Sequence, residues 1–269
     1  MKKKSILLGW ALIALLSPAA RAQELPGCYV GDFVGKTMDS KKHPMVINKI
    51  NISIDSVAKD QVKGHSVVAG NNRPFQGTIV KQKEQYLVHV KEPGDNQYDG
   101  VFKFTLDPAR KTATGNWVAN DKKLAVSERR FQLKKMTFKY DPDLKLEKWL
   151  FDTRGGSRQV WDTYDPKRGK SEALTADAGK LNASTTLLKS RDVENMYKRD
   201  LEVMRNAIYA RHGYSFQNRD MRHFFDQVPW YIPMSVDVTN ELTEVERKNI
   251  EILKRYENHA TSYYDRFGR

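Results

Sequence analysis

Apolar and polar residues alternate along several short segments between residues 28 and 133. Ile50, Ile52 and Ile54 alternate with polar neighbours, and Phe102 and Phe104 do the same in a later segment. Because successive side chains of a strand point to opposite faces, this period of two predicts strands with one dry face. We expect about eight strands, near residues 28–35, 45–57, 61–69, 74–81, 85–91, 99–106, 112–118 and 123–133.

Turn-forming residues separate these segments at intervals of roughly 8–12 residues, a spacing typical of an antiparallel meander. Examples are Gly70-Asn71-Asn72 and Pro93-Gly94-Asp95-Asn96. The meander is either closed as a barrel or folded as a sandwich. Glycine inside a strand marks a bend or bulge, so its recurrence favours the closed form. The recurring glycines are Gly64, Gly77, Gly100 and Gly115. The interior of such a barrel is either filled by side chains or keeps a cavity for a small apolar ligand.

Beyond residue 181 the pattern becomes helical. A short helix is predicted over residues 191–196 and a longer one from about Lys198 to His212, with Gly213 as the residue that ends it. Asn218 is a predicted N-cap of another short helix. Thr243 and Glu246 form a capping box that begins the last helix. These signals predict a small all-α domain of three or four helices.

The segment between these two parts has no sustained periodicity, but it contains Trp149 and Trp161. We interpret it as an irregular connector that is partly docked on a neighbouring domain. The predicted fold class is therefore α+β, an antiparallel β-barrel-like or sandwich domain followed by a small all-α domain. The expected division is a signal peptide at residues 1–22, a β-rich domain at 23–134, the connector at 135–180 and the helical domain at 181–269.

The first residues have the features of an export signal. A basic start, Met1-Lys2-Lys3-Lys4, precedes an apolar run from Ile6 to Leu16, and Ala20-Arg21-Ala22 fits a cleavage site before Gln23. The apolar run is too short for an ordinary transmembrane helix, and no later segment approaches the required length. We expect an exported protein, periplasmic or extracellular, without a transmembrane helix.

The chain is basic, with a formal net charge of +13. Removal of residues 1–22 takes away four basic residues and no acidic ones, which leaves +9. For an exported protein this charge favours anionic envelope polymers or lipid headgroups over nucleic acid as partners. A solvated basic surface without a specific partner is the alternative interpretation.

Cys28 is the single cysteine, so the chain has no intramolecular disulfide and no cysteine-based zinc site. The sequence Leu25-Pro26-Gly27-Cys28 is similar to a lipoprotein acylation site, but Arg21 and Glu24 separate it from the apolar run. Cys28 is therefore either a lipid attachment point, which would anchor the protein to a membrane, or an unmodified thiol at the start of the first strand.

The main helix ends in a dense group of polar and aromatic residues. The pattern Arg205-Asn206-x-Ile208-Tyr209-Ala210-Arg211-His212-Gly213-Tyr214-x-Phe216 is followed by Phe224-Phe225, Trp230-Tyr231 and Val245-Glu246-x-x-Asn249-Ile250. In residue order and spacing these blocks resemble the YARHG domain, a bacterial extracytoplasmic module, over about 70 residues. The resemblance implies a surface or periplasmic domain with a suspected association with the cell wall, and it does not extend to the β-rich half.

These motif residues have two interpretations, a structural one and a binding one. In the first, Arg205 bonds the C-terminal carbonyls or a carboxylate of the third helix, and Asn249 bonds a backbone group of the Trp230-Tyr231 loop. In the second, basic side chains bind a carboxylate or phosphate while aromatic rings stack on a sugar. The candidate residues for either role are Arg205, Asn206, Tyr209, Arg211, His212, Gly213, Trp230, Tyr231 and Asn249.

The leading functional hypothesis is a non-enzymatic exported protein that binds or scaffolds an anionic cell-wall glycan or an envelope protein. One alternative is a carrier of a small apolar ligand in the β-rich domain. Another is an envelope hydrolase with His212 as general base, although no catalytic motif accompanies that histidine. The six histidines have no metal-ligand spacing, and we expect neither a metal nor a cofactor.

Overall fold

A computed structural model of the chain describes residues 25–36, 47–147, 150, 163–165, 170–172 and 174–263. The predicted signal peptide lies outside the described residues, as do Trp149 and Trp161. The first eight described strands are β1 (Gly27–Gly35), β2 (Ile47–Ala58), β3 (Gln61–Val68), β4 (Asn71–Gln82), β5 (Gln85–Lys91), β6 (Gly100–Asp107), β7 (Thr112–Ala119) and β8 (Glu128–Met136).

These eight strands form a closed antiparallel barrel in sequence order. β1 pairs with β2 on one side and with β8 on the other, so the sheet has no free edge. The closed form of the predicted meander is confirmed, and the sandwich alternative is wrong. Two strand starts differ from prediction by three residues or more. β4 begins at Asn71 because Ala69 and Gly70, both with positive φ, suffice for the turn. β8 begins at Glu128, since residues 121–127 form a loop at the end of the barrel.

The barrel interior is lined by the apolar members of the alternating pattern. Ile50, Ile52 and Ile54 are almost completely buried in it, together with Phe102 and Phe104. The recurring glycines lie where neighbouring strands approach closely. A Cβ atom at Gly64 would collide with the Ser53 carbonyl, so a larger residue there would push two strands apart.

The C-terminal part is helical. Its described α-helices are α1 (Ser190–Val193), α2 (Lys198–Arg211), α3 (Arg219–Phe225) and α4 (Glu244–Tyr263). Short 3₁₀ helices cover Ala176–Gly179 and Thr239–Glu241, and a small strand pair, β9 (Thr163–Asp165) and β10 (Lys170–Glu172), precedes them. The Asn218 side chain caps α3, as predicted. The predicted capping box of α4 is also present, with Glu246 N–H donating to Thr243 Oγ1 at 3.2 Å and Thr243 N–H donating to Glu246 Oε2 at 2.9 Å.

The described part of the connector packs on the helices. Leu146, Leu150, Leu174 and Ala178 belong to the same apolar cluster as residues of α2 and α3. The side chain of Asn182 donates to the Pro142 carbonyl at 2.7 Å and ties the two ends of this segment together.

The helical part also covers the outer face of β2. Lys49 and Asn51 point away from the barrel interior, in alternation with the isoleucines. Lys49 Nζ donates to the carbonyls of Val228 at 2.7 Å and Tyr231 at 3.2 Å. Asn51 Nδ2 donates to the Pro233 carbonyl at 3.1 Å. These bonds fix the loop after α3 against the barrel.

Among the described residues, no helix combines the length and the apolar character needed to cross a membrane.

Candidate functional site

The end of α2 contains a buried cluster of hydrogen-bonded polar side chains. His212 Nε2 lies 2.8 Å from Glu246 Oε2, and the two side chains are 3% and 0% exposed. The Tyr140 hydroxyl donates to the other carboxylate oxygen at 3.2 Å. The Tyr140 ring also stacks on the imidazole with 4.2 Å between centroids. The Glu246 carboxylate therefore bonds to Tyr140 of the connector, to His212 of the motif and to Thr243 of the α4 capping box.

Arg211 is buried beside this cluster. Its Nε donates to the Leu144 carbonyl at 2.8 Å and its Nη1 to Ser184 Oγ at 3.2 Å. Burial lowers the pKa of Arg211 to about 10 despite the nearby Glu246 carboxylate. The Trp230 indole N–H donates to the Lys145 carbonyl at 2.8 Å, and its ring lies 5.9 Å from the Arg211 guanidinium. Both motif residues therefore hold the connector.

Arg205 makes a bidentate ion pair with Glu257 of α4. Its Nε and Nη2 donate to the two carboxylate oxygens at 2.5 Å and 2.9 Å. The structural interpretation expected a carboxylate of the third helix, and the partner carboxylate lies instead on α4. Asn206 donates to the Glu202 carbonyl, one turn earlier in α2, at 2.8 Å. Tyr209 lies between the two apolar clusters of the helical part.

Asn249 is fully buried and uses both ends of its amide. Its Nδ2 donates to the carbonyls of Ala183 and Thr186, each at 2.7 Å, and its Oδ1 accepts from Leu188 N–H at 2.9 Å. The expected bond to the Trp230-Tyr231 loop is therefore wrong. Asn249 faces the segment before α1 instead, because α4 packs its N-terminal half there.

Gly213 and Tyr231 complete the motif. Gly213 has a φ of +76°, and an added Cβ would lie 2.9 Å from the Cβ of Met234. Its carbonyl accepts from Met234 N–H at 2.7 Å. Tyr231 is 2% exposed and donates its hydroxyl to the Tyr214 carbonyl at 2.8 Å. The void that adjoins Arg211 measures about 10 Å³, room for no more than one water molecule.

A much larger cavity, of about 510 Å³, opens at one end of the barrel. This volume lies within the range of roughly 300–1,000 Å³ that is usual for small-molecule sites. The cavity is bounded by the β3–β4 turn, the β5–β6 and β7–β8 loops, and Arg222 of α3, so both parts of the chain contribute to it. It is lined by Phe33, Asn48, Ser66, Val68, Ala69, Asn71, Arg73, Glu92, Asn96, Tyr98, Asp99, Phe102, Trp117, Leu124, Ala125, Val126, Arg129 and Arg222.

Aromatic rings form the floor of this cavity. Phe33 contacts Trp117 edge to face with 5.8 Å between centroids, and it stacks with Phe102 at 6.3 Å. The Arg129 guanidinium lies 5.1 Å from the Phe33 ring centre. Phe33, Phe102 and Trp117 belong to the apolar cluster of the barrel interior, so the cavity ends where that cluster begins.

Two acidic side chains in the wall are bonded to other wall residues. Glu92 accepts from Ser66 Oγ at 3.0 Å, Gly100 N–H at 2.7 Å and Trp117 Nε1 at 3.1 Å. Burial raises the pKa of Glu92, and these hydrogen bonds offset part of the increase. Asp99 makes a bidentate pair with Arg73, at 2.8 Å and 2.7 Å.

Two other wall atoms are buried without a hydrogen-bond partner among the described residues, Asn48 Oδ1 and Arg222 Nε. Buried polar groups are normally paired, and both residues line the cavity, although these two atoms themselves are buried within its wall. Arg222 also lies close enough to Arg129 for the two charges to oppose each other. Burial, with a further contribution from Arg222, lowers the pKa of Arg129 to about 10.

The polar residues of this cavity were missed from the sequence, although a signal for them exists. Asn48 is in phase with the inward isoleucines of β2, Glu92 with Val88 and Val90, and Arg129 with Phe131. In such a barrel, a polar residue near the end of a strand, at a position whose side chain faces inward, predicts a cavity with a polar mouth.

Cys28 lies in β1 near the contact between barrel and helices. Its Sγ is 3.4 Å from Ser53 Oγ and 3.8 Å from Met234 Sδ. Within the described residues, no group of three or more histidine, cysteine, aspartate or glutamate side chains is placed to hold a metal ion.

Fold and site together define a two-part protein, a closed eight-stranded β-barrel with a ligand-sized cavity at one end and a helical module packed against it. The family model of the YARHG domain matches residues 178–258, so this module is a YARHG domain. The domain is associated with exported proteins. The match includes α1 to α3 and most of α4, and it leaves the barrel uncovered.

Among solved structures, one described as a redesigned β-barrel is similar to this chain at 14% sequence identity and a TM-score of 0.30. That match covers 43% of this chain and 95% of the other. The search of curated proteins found no match.

Proposed function

We propose that this chain is an exported, non-enzymatic binding protein of the cell envelope that holds a small molecule in the cavity at the end of its barrel. The single observation that carries the proposal is a cavity of about 510 Å³ that is lined by residues of both the barrel and the YARHG domain. Among the described lining residues, Arg222 of α3 is the one that the YARHG domain contributes. Ligand binding would therefore involve both parts of the chain.

In this proposal the YARHG motif has a structural role. Arg211, His212 and Tyr231 are buried, and each has a polar atom bonded to another part of the domain or to the connector. A buried polar network of this kind favours one packing arrangement over others. The motif thereby holds α3, and with it Arg222, at the cavity.

Export is the remaining element of the proposal, and the basic and apolar runs before Gln23 support it. Cys28 then lies within the mature chain as an unmodified thiol. The mass of the secreted protein tests this directly, because cleavage before Gln23 leaves no lipid on Cys28, whereas a diacyl adduct would contradict it.

Binding is tested with N-phenyl-1-naphthylamine and its sulfonated form, 8-anilinonaphthalene-1-sulfonate, two dyes that fluoresce in apolar surroundings. A Val68→Trp/Val126→Trp variant fills the cavity, because both valines line it. A Val80→Trp/Val236→Trp variant is the matched control, since these valines are exposed at 56% and 41%. We expect saturable binding of at least one dye at one site in the wild type and the control, and its loss in the cavity variant. Absence of binding for both dyes, or equal binding in all three proteins, would overturn the proposal.

A further inference from the structure

The outer surface of the barrel has a covered side and an open side. On the covered side the helical part lies against β2, where Lys49 and Asn51 bond the carbonyls of its loop. On the open side lie the outward residues of β5 to β8, which alternate with the buried residues of the core. We call these outward residues the open wall. They are every second residue of the four strands, counted from Gln85, Val101, Thr112 and Glu128.

Positive charge exceeds negative charge on the open wall. Its two carboxylates, Asp107 and Glu128, each pair at 3.3 Å with a cation from outside the wall, Arg110 and Lys36. The basic side chains of the wall itself are all exposed, and they are Lys91, Lys103, Arg130 and Lys134. Within the described part of the chain, none of these four side chains pairs with a carboxylate. The wall therefore carries positive charge that no acidic side chain neutralises.

The four cations are spread over a wider area than one small anion covers. Lys103 in β6 and Arg130 in β8 both lie opposite Asn116 of the strand between them, so about 10 Å separates their backbone positions. Lys91 lies diagonally across from Lys103, at roughly 7–8 Å. Lys134 lies four residues beyond Arg130, at about 13 Å. Charges at such intervals match a chain that carries an acidic group on each of several successive units.

Neutral hydrogen-bonding groups lie between the cations. Asn116 is exposed between Lys103 and Arg130, and in the next row of the wall Thr105, Thr114 and Gln132 are cross-strand neighbours. Hydroxyl and amide groups both donate and accept hydrogen bonds, as the hydroxyl groups of a sugar do. A chain of acidic sugars therefore finds partners on this wall for its charged and for its neutral groups.

Other large anions match the wall less well. None of its residues, all of which the structure describes, is Phe, Tyr or Trp, so it lacks the aromatic platform on which the bases of a single-stranded nucleic acid stack. The wall of a barrel is convex, so a flat membrane would approach only some of the four cations at once. A flexible chain follows the curve of the wall.

We propose that the open wall binds an anionic polysaccharide, whose acidic groups contact Lys103 and Arg130 and whose hydroxyl groups contact Asn116. This surface lies on the outside of the barrel, whereas the cavity lies inside one end of it. The inference therefore does not rest on ligand binding in the cavity, and it gives the protein a second binding surface.

The test uses fluorescently labelled polygalacturonate, a chain of sugars that each carry a carboxylate, and labelled dextran, an uncharged chain of sugars. We expect fluorescence anisotropy to show binding of polygalacturonate that weakens with added salt, and no binding of dextran. Lys103→Glu/Arg130→Glu should weaken the binding of polygalacturonate by about tenfold or more, because two charge-assisted contacts become repulsive. Lys254→Glu/Arg255→Glu, at exposed positions of α4, is the control with the same change in charge, and its affinity should stay close to that of the wild type.

Asn116→Ala tests the sugar part of the proposal against inorganic polyphosphate, a chain of acidic groups without hydroxyls between them. We expect this variant to bind polygalacturonate about threefold more weakly, as the loss of a neutral hydrogen bond does. Its affinity for polyphosphate should not change. Equal effects on the two polymers would overturn the polysaccharide as the ligand class.

Three other results would overturn the proposal. They are no binding of polygalacturonate by the wild type, equal losses in the two charge-reversed variants, and binding to vesicles that contain phosphatidylglycerol but not to polygalacturonate. Melting curves check folding, and if Lys103→Glu/Arg130→Glu melts early, Lys103→Gln/Arg130→Gln with Lys254→Gln/Arg255→Gln gives the same comparison. Dye binding in the cavity should be unchanged in the wall variants, so failure of this proposal and failure of the proposed function are distinguishable.

Discussion

The imidazole of His212 and the carboxylate of Glu246 meet at 2.8 Å in the interior of the helical domain. Since a carboxylate oxygen can only accept, Nε2 of His212 is the donor in this contact. The same carboxylate accepts from Thr243 N–H and from the Tyr140 hydroxyl. One side chain thus connects the end of α2, the start of α4 and the connector.

Glu246→Gln should lower the stability of the domain at neutral pH. It should also make that stability fall less as the pH is lowered. Burial alone would raise the pKa of Glu246, but hydrogen bonds from His212, Thr243 and Ser184 outweigh it, so the pKa lies below the ordinary 4.5. Stability from this carboxylate is therefore present above about pH 4.5 and is lost as the pH falls through the lowered pKa. Urea unfolding between neutral and acidic pH measures the effect.

Glu244→Gln is the control for that experiment. Glu244 lies two residues earlier and pairs with Lys248, but its side chain is 81% exposed. Glu244→Gln should lower the stability of the domain at neutral pH much less than Glu246→Gln does. Equal losses in the two variants would contradict the role assigned to the His212–Glu246 contact.

Asn249→Ala should destabilise the helical domain by about 3 kcal/mol, since each buried group left without a partner costs roughly 1–3 kcal/mol. The change leaves the carbonyls of Ala183 and Thr186 and the N–H of Leu188 without the bonds they make now. Denaturant unfolding followed by circular dichroism measures it. Asn240→Ala, at an exposed position, is the control and should have little effect.

A double-mutant cycle on Arg205 and Glu257 should give a coupling free energy of about 1–3 kcal/mol, because a bidentate pair that is largely shielded from water is stronger than a surface pair. The side chains are 19% and 11% exposed. The same cycle on Lys248 and Glu244, an exposed pair in α4, provides the comparison. A coupling no larger than in the exposed pair would show that Arg205 adds little to the domain.

Asp226 lies at the contact between barrel and helices, and its effect on stability changes with pH in the opposite direction to that of Glu246. Asp226→Asn should remove this pH dependence of the stability. Burial raises the pKa of Asp226 to about 7, although it accepts from Lys49 N–H at 2.9 Å. Its contribution to stability is therefore complete below the unfolded value of 3.8 and is lost as the pH rises through about 7. The variant should gain stability over wild type above neutral pH. Asp60→Asn, at an exposed turn, should not, and a gain there of equal size would contradict the assignment.

The barrel could be predicted because the pattern that specifies each strand and turn lies in residues that are close together in the sequence. Strict alternation in β2, β5 and β6 marks the inward residues, and polar turn residues mark the ends. The start of β8 was misplaced because the loop before it contains Leu124 and Val126, which continue the apolar pattern but line the cavity.

The candidate site depends on contacts that are distant in sequence. Arg222 lies in α3, for which the sequence predicts only an N-cap at Asn218, and nothing near it in the chain indicates that α3 reaches the barrel mouth. Asn48 lies in β2 and Glu92 directly follows β5, 44 residues later in the sequence, and closure of the barrel brings both to one rim. The partners of Asn249 were missed for the same reason, because the packing of α4 on the segment before α1 is a tertiary feature.

Binding of a ligand at the barrel mouth and not at the YARHG motif is tested most directly by the indole N–H signals of two tryptophans. Trp117 lies in the cavity floor and Trp230 beside Arg211. The signals are assigned with Trp117→Phe and Trp230→Phe and followed by ¹H–¹⁵N correlation spectra during addition of 8-anilinonaphthalene-1-sulfonate. We expect the Trp117 signal to shift in a saturable manner while the Trp230 signal stays in place. A shift of Trp230 with an unchanged Trp117 would contradict the claim.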